Sequence, residues 1–329
     1  MKFFYEEKNI RFNDVYELNP ISRRELAARF GCSYKAAQKM NRLNEILSKE
    51  KLLELICALE IGDEYLKEFE IFSEDSEFVK GFPFRALTFR KMLEENSPLP
   101  PKEQLLRFFR VASEEAWEKA YLTNDTELVA INFSECDYPK VFAAWFRSGE
   151  ILYSKEKAAE FCRDDLELLE EKLLELAYRK EKDFLERSLE LCRRYGINIG
   201  MVPSFPQVQS GAVGIFHKKK PLLIFSNRYY HEALFLEMLF EALEFFRHNK
   251  SGMFVKDMPG LVENEEWKKR AEDKLLSEPA ECQILVIGDF SSKALNYFSR
   301  EFKVPLAVIV YRLQKLKKLK DYFPKRVIL

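Results

Sequence analysis

The sequence predicts a mainly α-helical protein with a small β-sheet, an α+β fold. Three observations support this prediction. Only 11 of the 329 residues are Gly and 33% are charged, a composition typical of packed, helix-rich proteins. Apolar residues recur at helical spacing through most of the first 190 positions. Between positions 197 and 226, three short runs rich in Ile and Val, bounded by Gly, Pro and Lys, indicate strands.

The N-terminal region, residues 1-65, has the organisation of a helix-turn-helix domain. Ser22 can cap a first helix, and Gly31 is placed to end it. Ser33 can cap a second helix that runs to about Arg42. Two short helices joined by a Gly-containing turn are typical of helix-turn-helix proteins, in which the second helix enters the major groove of DNA.

The remainder of the chain divides into two further regions. A third helix that begins near Ser48 completes the first domain, and residues 66-190 form a predicted helical middle or linker region. Residues 191-329 are predicted to hold the three strands, a helix at 232 to 248, a helix around 263 to 278, and two terminal helices separated at Val304-Pro305.

Several local stretches, taken in order, share a pattern with one bacterial family. They are FPFRAL at 82 to 87, LLRFFRVAS at 105 to 113, AAWFRSGE at 143 to 150, LCRRYGINIGMVPSFP at 191 to 206, GAVGIF at 211 to 216 and PLLIFSNRY at 221 to 229. With the N-terminal helices, this order resembles regulators that join a Cro/repressor-type helix-turn-helix to an ImmA/IrrE-type metallopeptidase domain. The resemblance implies a zincin-type domain over residues 191-329.

The zinc-binding helix of that family has the form F-H-E-x-G-H-x-x-x-H. The matching stretch here is FLEMLFEALEFFRH, which ends at His248. One alignment puts Phe240 at the first ligand histidine, Glu241 at the glutamate, Glu244 at the second histidine and His248 at the trailing histidine. An alignment one residue earlier puts Glu241 and Phe245 at the two ligand positions. Neither alignment keeps a ligand histidine.

The third zinc ligand of the family is an acidic residue downstream, and the resemblance brings Asn264 nearest to it, with Glu263 and Glu265 on either side. A catalytic zinc needs three protein ligands and an open position for water. Phe240 has no donor atom. We therefore expect a degenerate site with no catalytic residue, no metal and no cofactor.

Three residues of this helix, Glu241, Glu244 and His248, are then vestiges of the family's active site. A rearranged metal site that includes His231 is also unfavourable. His231 and Glu244 lie about 20 Å apart along a continuous helix, so that a shared site would need the helix to break.

The strongest functional signal is the charge of residues 21 to 43, which carry six basic residues against one acidic residue. Gln side chains pair with adenine edges, and Lys or Arg with guanine or phosphate. The alternative to DNA binding is that these basic residues form only a solvated helix face. The residues predicted to contact DNA are Arg23, Ser33, Tyr34, Lys35, Gln38, Lys39 and Arg42.

The function expected from these features is that of a DNA-binding transcriptional regulator, antitoxin-like by resemblance. Its inactive pseudo-peptidase half would sense a ligand or bind a protein partner such as a toxin. Because repressor-type domains bind paired half-sites, we expect a homodimer on double-stranded DNA. Two alternatives are an active ImmA/IrrE-type zinc metallopeptidase that cleaves a repressor, and a protein-only adaptor.

Charge and cysteine content bear on partners and compartment. The net charge is only −1, which requires any nucleic-acid contact to come from a local patch. A second such patch, at 311 to 326, has seven basic residues and one acidic residue, and a solvated helix end is its simpler interpretation. The six Cys show no CxxC pairing, and the start of the chain has no apolar signal segment. We expect a cytoplasmic protein without membrane contact.

Overall fold

The computed structural model describes residues 11–61, 77–123, 133, 136–154, 158–179, 183–205, 208, 211–217, 220–227, 231–257 and 263–319. Their contacts group into two compact units. The first comprises Met1–Ser148 with Phe205–Val208, and the second comprises Gly149–Ser204 with Gln209–Leu329. The regions expected at 1-65, 66-190 and 191-329 divide the chain at other points, and those boundaries stay a prediction.

The first unit is helical in its described part. Its helices are α1 (Phe12–Tyr16), α2 (Arg23–Arg29), α3 (Tyr34–Leu43), α4 (Lys49–Leu59), α5 (Phe84–Phe89), α6 (Pro101–Phe109), α7 (Glu114–Tyr121) and the larger part of α8 (Pro139–Tyr153). The hydroxyls of Ser22, Ser33 and Ser48 each accept the N–H three residues on, at 3.1, 3.2 and 3.3 Å. The serine caps predicted for α2 and α3 are therefore confirmed, and the helix expected to begin near Ser48 is capped by Ser48 itself.

Two apolar clusters stabilise this unit. Helices α1 to α4 pack around a core that includes Leu26, Ala37 and Leu55, all of which are buried. A separate aromatic cluster forms where Phe109 and Trp117 lie with ring centroids 5.8 Å apart in an edge-on arrangement. Aromatic side chains bury large apolar areas, and this packing fixes α6 against α7.

The second unit combines helices with a four-stranded sheet. Its further helices are α9 (Leu166–Tyr178), α10 (Phe184–Arg194), α11 (Glu232–His248), α12 (Glu265–Leu275), α13 (Glu278–Ile287), α14 (Ser292–Phe302) and α15 (Leu306–Lys315). Its strands are β1 (Asn198–Val202), β2 (Ala212–His217), β3 (Lys220–Ser226) and β4 (Met253–Lys256), in the order β1-β3-β2-β4. β1 runs parallel to β3, whereas β2 is antiparallel to both β3 and β4.

The described residues thus confirm a mainly helical α+β fold with a small mixed sheet. The predicted helix at 232 to 248 is observed at the same bounds, and the two terminal helices separate at Val304-Pro305 as expected. β4 was not predicted, because four residues are too few for an alternating pattern to be recognised. Within the described part of the chain, no helix has the length and apolar character needed to cross a bilayer.

Candidate functional site

The turn between α2 and α3 is closed by two backbone hydrogen bonds. Gly31 adopts a positive φ of 59°. Its N–H donates to the carbonyl of Ala28 at 3.0 Å, and the N–H of Cys32 donates to the carbonyl of Ala27 at 2.9 Å. This pair of hydrogen bonds is the Schellman arrangement that ends helices at glycine. The sequence therefore fixes the angle between α2 and α3 locally.

Helix α7 supports the same turn, a contact that the sequence did not reveal. A Cβ added to Gly31 would lie 3.0 Å from the Cα of Ala116, so any larger residue would have to push α7 away as well as adopt a strained positive φ. The Lys119 ammonium donates to the Gly31 carbonyl at 3.2 Å, and the Ala112 N–H donates to the Arg29 carbonyl at 2.8 Å. The α2–α3 pair is consequently held by residues beyond position 65.

The outer face of α3 carries the residues predicted to contact DNA. Lys35, Gln38, Lys39 and Arg42 follow the spacing of one helical face, and all are exposed. The opposite face of the helix holds Ala37, which is fully buried. Burial of one face thus determines which face of α3 meets solvent. At the start of the helix Ser33 and Tyr34 are exposed, and Arg23 is exposed at the start of α2.

One of the six basic residues in the segment 21 to 43 is not exposed. Arg29 is buried, and its guanidinium donates to Glu25 at 2.6 Å and to the carbonyl of Ala58 at 2.5 Å. Burial lowers its pKa, and the neighbouring Glu25 opposes that effect. Because the single acidic residue is used in this pair, the five exposed basic side chains have no counter-charge within the segment.

An open groove of about 1110 Å³ lies beside the first turns of α2 and α3. Arg23, Arg24, Ser33 and Tyr34 line it from the two helices, and Lys119 lines it from α7. No acidic residue lines the groove in the described part of the chain, although the Lys119 ammonium is paired with Glu115 outside the lining at 2.7 Å. The charges and the open shape suit a polyanion rather than a small apolar ligand.

Helix α11, by contrast, carries three carboxylates inside the protein. Glu237, Glu241 and Glu244 lie on one stripe and are only 4, 2 and 2% exposed. Each contacts a lysine from a different element. The Nζ–Oε distances are 2.9 Å from Lys315 of α15 to Glu237, 2.9 Å from Lys256 of β4 to Glu241, and 2.5 Å from Lys274 of α12 to Glu244. We call this arrangement the three-lysine stripe.

The middle pair of the stripe is the most enclosed. The Lys256 ammonium also donates to Glu263 at 2.8 Å and lies 3.9 Å from Glu237. Burial raises the pKa of Glu241 to about 7, although Lys256 opposes the shift. Burial alone would lower the pKa of Lys256, but Glu241 and Glu263 together raise it above its ordinary value. The lysine therefore remains a cation within the protein interior.

The outer pairs extend the network across the second unit. Lys274 also bonds Glu170 of α9 at 2.8 Å, and Arg247 bonds that carboxylate at 2.6 Å. Burial alone would raise the pKa of Glu244, but hydrogen bonds from Lys274 and Arg247 hold it below its ordinary value. Ion pairs of this kind connect α9, α11 and α12.

The residues present do not fit a catalytic zinc. Phe240 is fully buried and offers no donor atom, and in the alternative alignment Phe245 is likewise buried. The carboxylates of Glu241 and Glu244 are bonded to lysines. His248 lies at the end of α11, 3.3 Å from Glu244 and 2.7 Å from an Arg270 nitrogen, where it extends the ion-pair network.

The candidate for a third zinc ligand has a structural role. Asn264 caps α12, because its side-chain oxygen accepts the N–H groups of Glu266 and Trp267 at 3.0 and 3.2 Å. Its neighbour Glu263 reaches Lys256 instead. Glu265 pairs with Lys268 on the surface of α12. Sequence alignment alone could not distinguish these roles, since all three residues are polar and adjacent.

The C-terminal basic patch is partly internal. Arg312 pairs with Glu272 and Glu281, and Lys315 pairs with Glu272 as well as with Glu237. Positions 320 to 326 of the patch lie outside the described residues. The two patches proposed from sequence therefore differ, since part of the second patch neutralises the buried Glu237 and the half-buried Glu272 and Glu281.

Comparisons with family models, with curated proteins and with solved structures gave no match to this chain. The resemblance to regulators with an ImmA/IrrE-type domain thus rests on the sequence stretches that suggested it.

Proposed function

We propose that the chain is a transcriptional regulator that binds double-stranded DNA through α2 and α3. The observation that carries this proposal is the exposed face of α3, where Lys35, Lys39 and Arg42 form no ion pair with any residue in the described ranges. An uncompensated cationic face on a rigidly supported helix favours a phosphate-rich partner, because neutralising phosphates releases condensed counterions.

The arrangement of the two helices gives each residue type a role in this proposal. The first turn of α3, with Ser33 and Tyr34, would enter the major groove, as in helix-turn-helix proteins. Gln38 is suited to contact adenine edges, while Lys35 and Lys39 are suited to phosphates. Arg23 at the start of α2 would contact the backbone of the DNA beside the groove. Such contacts position the protein on the duplex, and the base contacts select its sequence.

The second unit, in this proposal, performs no zinc-dependent hydrolysis and serves as a sensor or interaction module. Support comes from Phe240 at a ligand position and from the lysine partners of Glu241 and Glu244. An antitoxin-like regulator that binds DNA as a homodimer remains our more specific hypothesis. It is supported by the resemblance and by the pairing of half-sites in repressor operators.

The first test is a titration of the full chain, followed by fluorescence anisotropy, against labelled DNA from upstream of its own gene. A scrambled duplex of the same composition serves as the control. Each duplex is titrated at about 50 and 200 mM salt, because a protein that neutralises several phosphates loses affinity steeply over that interval. We expect tighter binding to the upstream DNA than to the scrambled duplex, and weaker binding to both at the higher salt.

Two results would contradict the proposal. Absent binding at the lower salt would favour the protein-only adaptor, and the face of α3 would then be only a solvated surface. Equal binding to both duplexes would contradict sequence-specific regulation. Stoichiometric zinc in the purified protein, together with cleavage of a repressor, would instead support the metallopeptidase alternative.

A further inference from the structure

Among the three lysines of the three-lysine stripe, Lys256 is set apart by its burial. Its side chain is 5% exposed, whereas those of Lys315 and Lys274 are 31 and 33% exposed. Water can reach the two outer ammonium groups. A buried ammonium is costly unless carboxylates replace its hydration, so the surroundings of Lys256 must supply nearly all of its stabilisation.

The carboxylates around this ammonium come from separate segments. Glu237 and Glu241 project from α11, and Glu263 lies just before α12. The second oxygen of Glu263 accepts the backbone N–H of Asp257 at 2.9 Å. This bond orients the carboxylate independently of the lysine ammonium. We call the three carboxylates the carboxylate cradle.

The distances show how the cradle holds the Lys256 ammonium. The Lys256 nitrogen lies 2.9 and 2.8 Å from the nearest oxygens of Glu241 and Glu263. These are the lengths of charge-assisted hydrogen bonds from an ammonium. Magnesium ligands lie nearer 2.1 Å and calcium ligands at about 2.4 Å. The main chain of Lys256 is fixed by the pairing of β4 with β2, so the side chain enters the cradle from the sheet.

We propose that the carboxylate cradle is a binding site for a primary ammonium ion, which the chain fills with its own Lys256. The second unit thereby neutralises its internal acidic stripe with a covalently attached cation, without an external metal. Removing the lysine side chain would leave a cavity that binds a small alkylammonium ion. This proposal does not depend on whether the first unit binds DNA.

Chemical rescue of Lys256→Ala tests the proposal directly. n-Propylammonium supplies the three carbons and the ammonium that this substitution removes. At pH 8, where Glu241 is ionised in wild type, we expect the variant to melt roughly 10 °C below wild type, because the buried carboxylate loses its partner and must either stay unpaired or take up a proton. Addition of n-propylammonium chloride should raise the Tm by about 5 °C, with the rise growing as the logarithm of its concentration above the Kd.

The controls separate binding from general salt effects. Sodium chloride and tetramethylammonium chloride at equal concentration should give no such rise, since neither cation donates N–H hydrogen bonds. Lys315→Ala is the matched variant, because its ammonium is partly exposed and water can replace it. The proposal is overturned if n-propylammonium raises the Tm of Lys256→Ala no more than that of Lys315→Ala. A larger rise with magnesium or zinc chloride would also overturn it.

A second variant pair applies if Lys256→Ala does not fold. Lys256→Met retains the length of the side chain but leaves Glu241 without its cation. Adding Glu241→Gln removes the carboxylate charge, and the double variant should melt several degrees above Lys256→Met alone. A double variant that melts at the same temperature or lower would show that Lys256 is not needed as a cation.

Discussion

Helices α3 and α11 both carry ionisable side chains at helical spacing, but these side chains are exposed on α3 and buried on α11. On α3, Lys35, Lys39 and Arg42 face solvent. On α11, Glu237 and Glu241 are buried against lysines. Exposed charges cost little stability and are available to a ligand, whereas buried charges must be paired within the protein. Changes on α3 should therefore affect binding, and changes on α11 should affect stability.

The largest expected effect is on α11. Glu237→Ala removes the carboxylate that bonds Lys315 and lies 3.9 Å from Lys256. The buried Lys256 ammonium then has one carboxylate fewer around it. We expect the free energy of unfolding to fall by about 3 kcal/mol, measured by urea denaturation. Glu171→Ala, at an exposed position of α9, is the control and should change it by less than about 0.5 kcal/mol. Equal losses in both variants would refute the contrast between the helices.

A pH titration of stability isolates Glu241. Its pKa is raised from 4.5 to about 7, primarily by burial, so the folded protein holds this proton more tightly than the unfolded chain. The resulting stabilisation is complete below the unfolded pKa and is lost as the pH rises through the folded pKa. Between pH 5 and 8, wild type should lose about 2 kcal/mol relative to Glu241→Gln.

The measurement is the free energy of unfolding of both proteins across that pH range. Glu244 and Glu263 do not interfere, because their folded pKa values are lowered and their stabilisation is lost only at more acid pH. Parallel pH profiles for wild type and Glu241→Gln would mean that the burial of Glu241 does not govern its protonation.

On α3, removing two cations should weaken binding without loss of stability. Lys35→Ala with Lys39→Ala should reduce affinity for all duplexes about tenfold and lower the slope of log affinity against log salt by about 2. The matched control is Lys80→Ala with Arg85→Ala, which removes two exposed charges elsewhere in the first unit. If both double variants bind DNA equally well, the exposed face of α3 is not the DNA contact.

The smallest expected effect concerns sequence preference. Gln38→Ala should reduce discrimination between the upstream and scrambled duplexes by about 1 kcal/mol, since a base contact is lost. Lys39→Ala alone should weaken binding to both duplexes to a similar extent. Competition titrations with the two duplexes measure the difference. A loss of discrimination in Lys39→Ala but not in Gln38→Ala would reverse the roles assigned to these residues.

The helix boundaries in the first unit were predictable from sequence because their causes are local. Ser22 and Ser33 satisfy N–H groups three residues away, and Gly31 supplies the positive φ that ends α2. The bounds of α11 were predictable for a similar reason, since a long apolar run continued until His248. The strand β4 was not predictable, because its four residues are too few for a recognisable pattern and only its pairing with β2, about 40 residues earlier, makes it a strand.

What the sequence determined by itself was the type of side chain at each position, including the absence of a donor atom at Phe240 and the excess of positive charge in residues 21 to 43. Only the tertiary structure decided which charges are available. It buried Arg29 against Glu25, brought Lys256 to Glu241, and used Lys315 to neutralise a carboxylate on a distant helix. The physical reason is that the energy of a charge depends on its hydration and its neighbours, which are set by contacts between residues far apart in sequence.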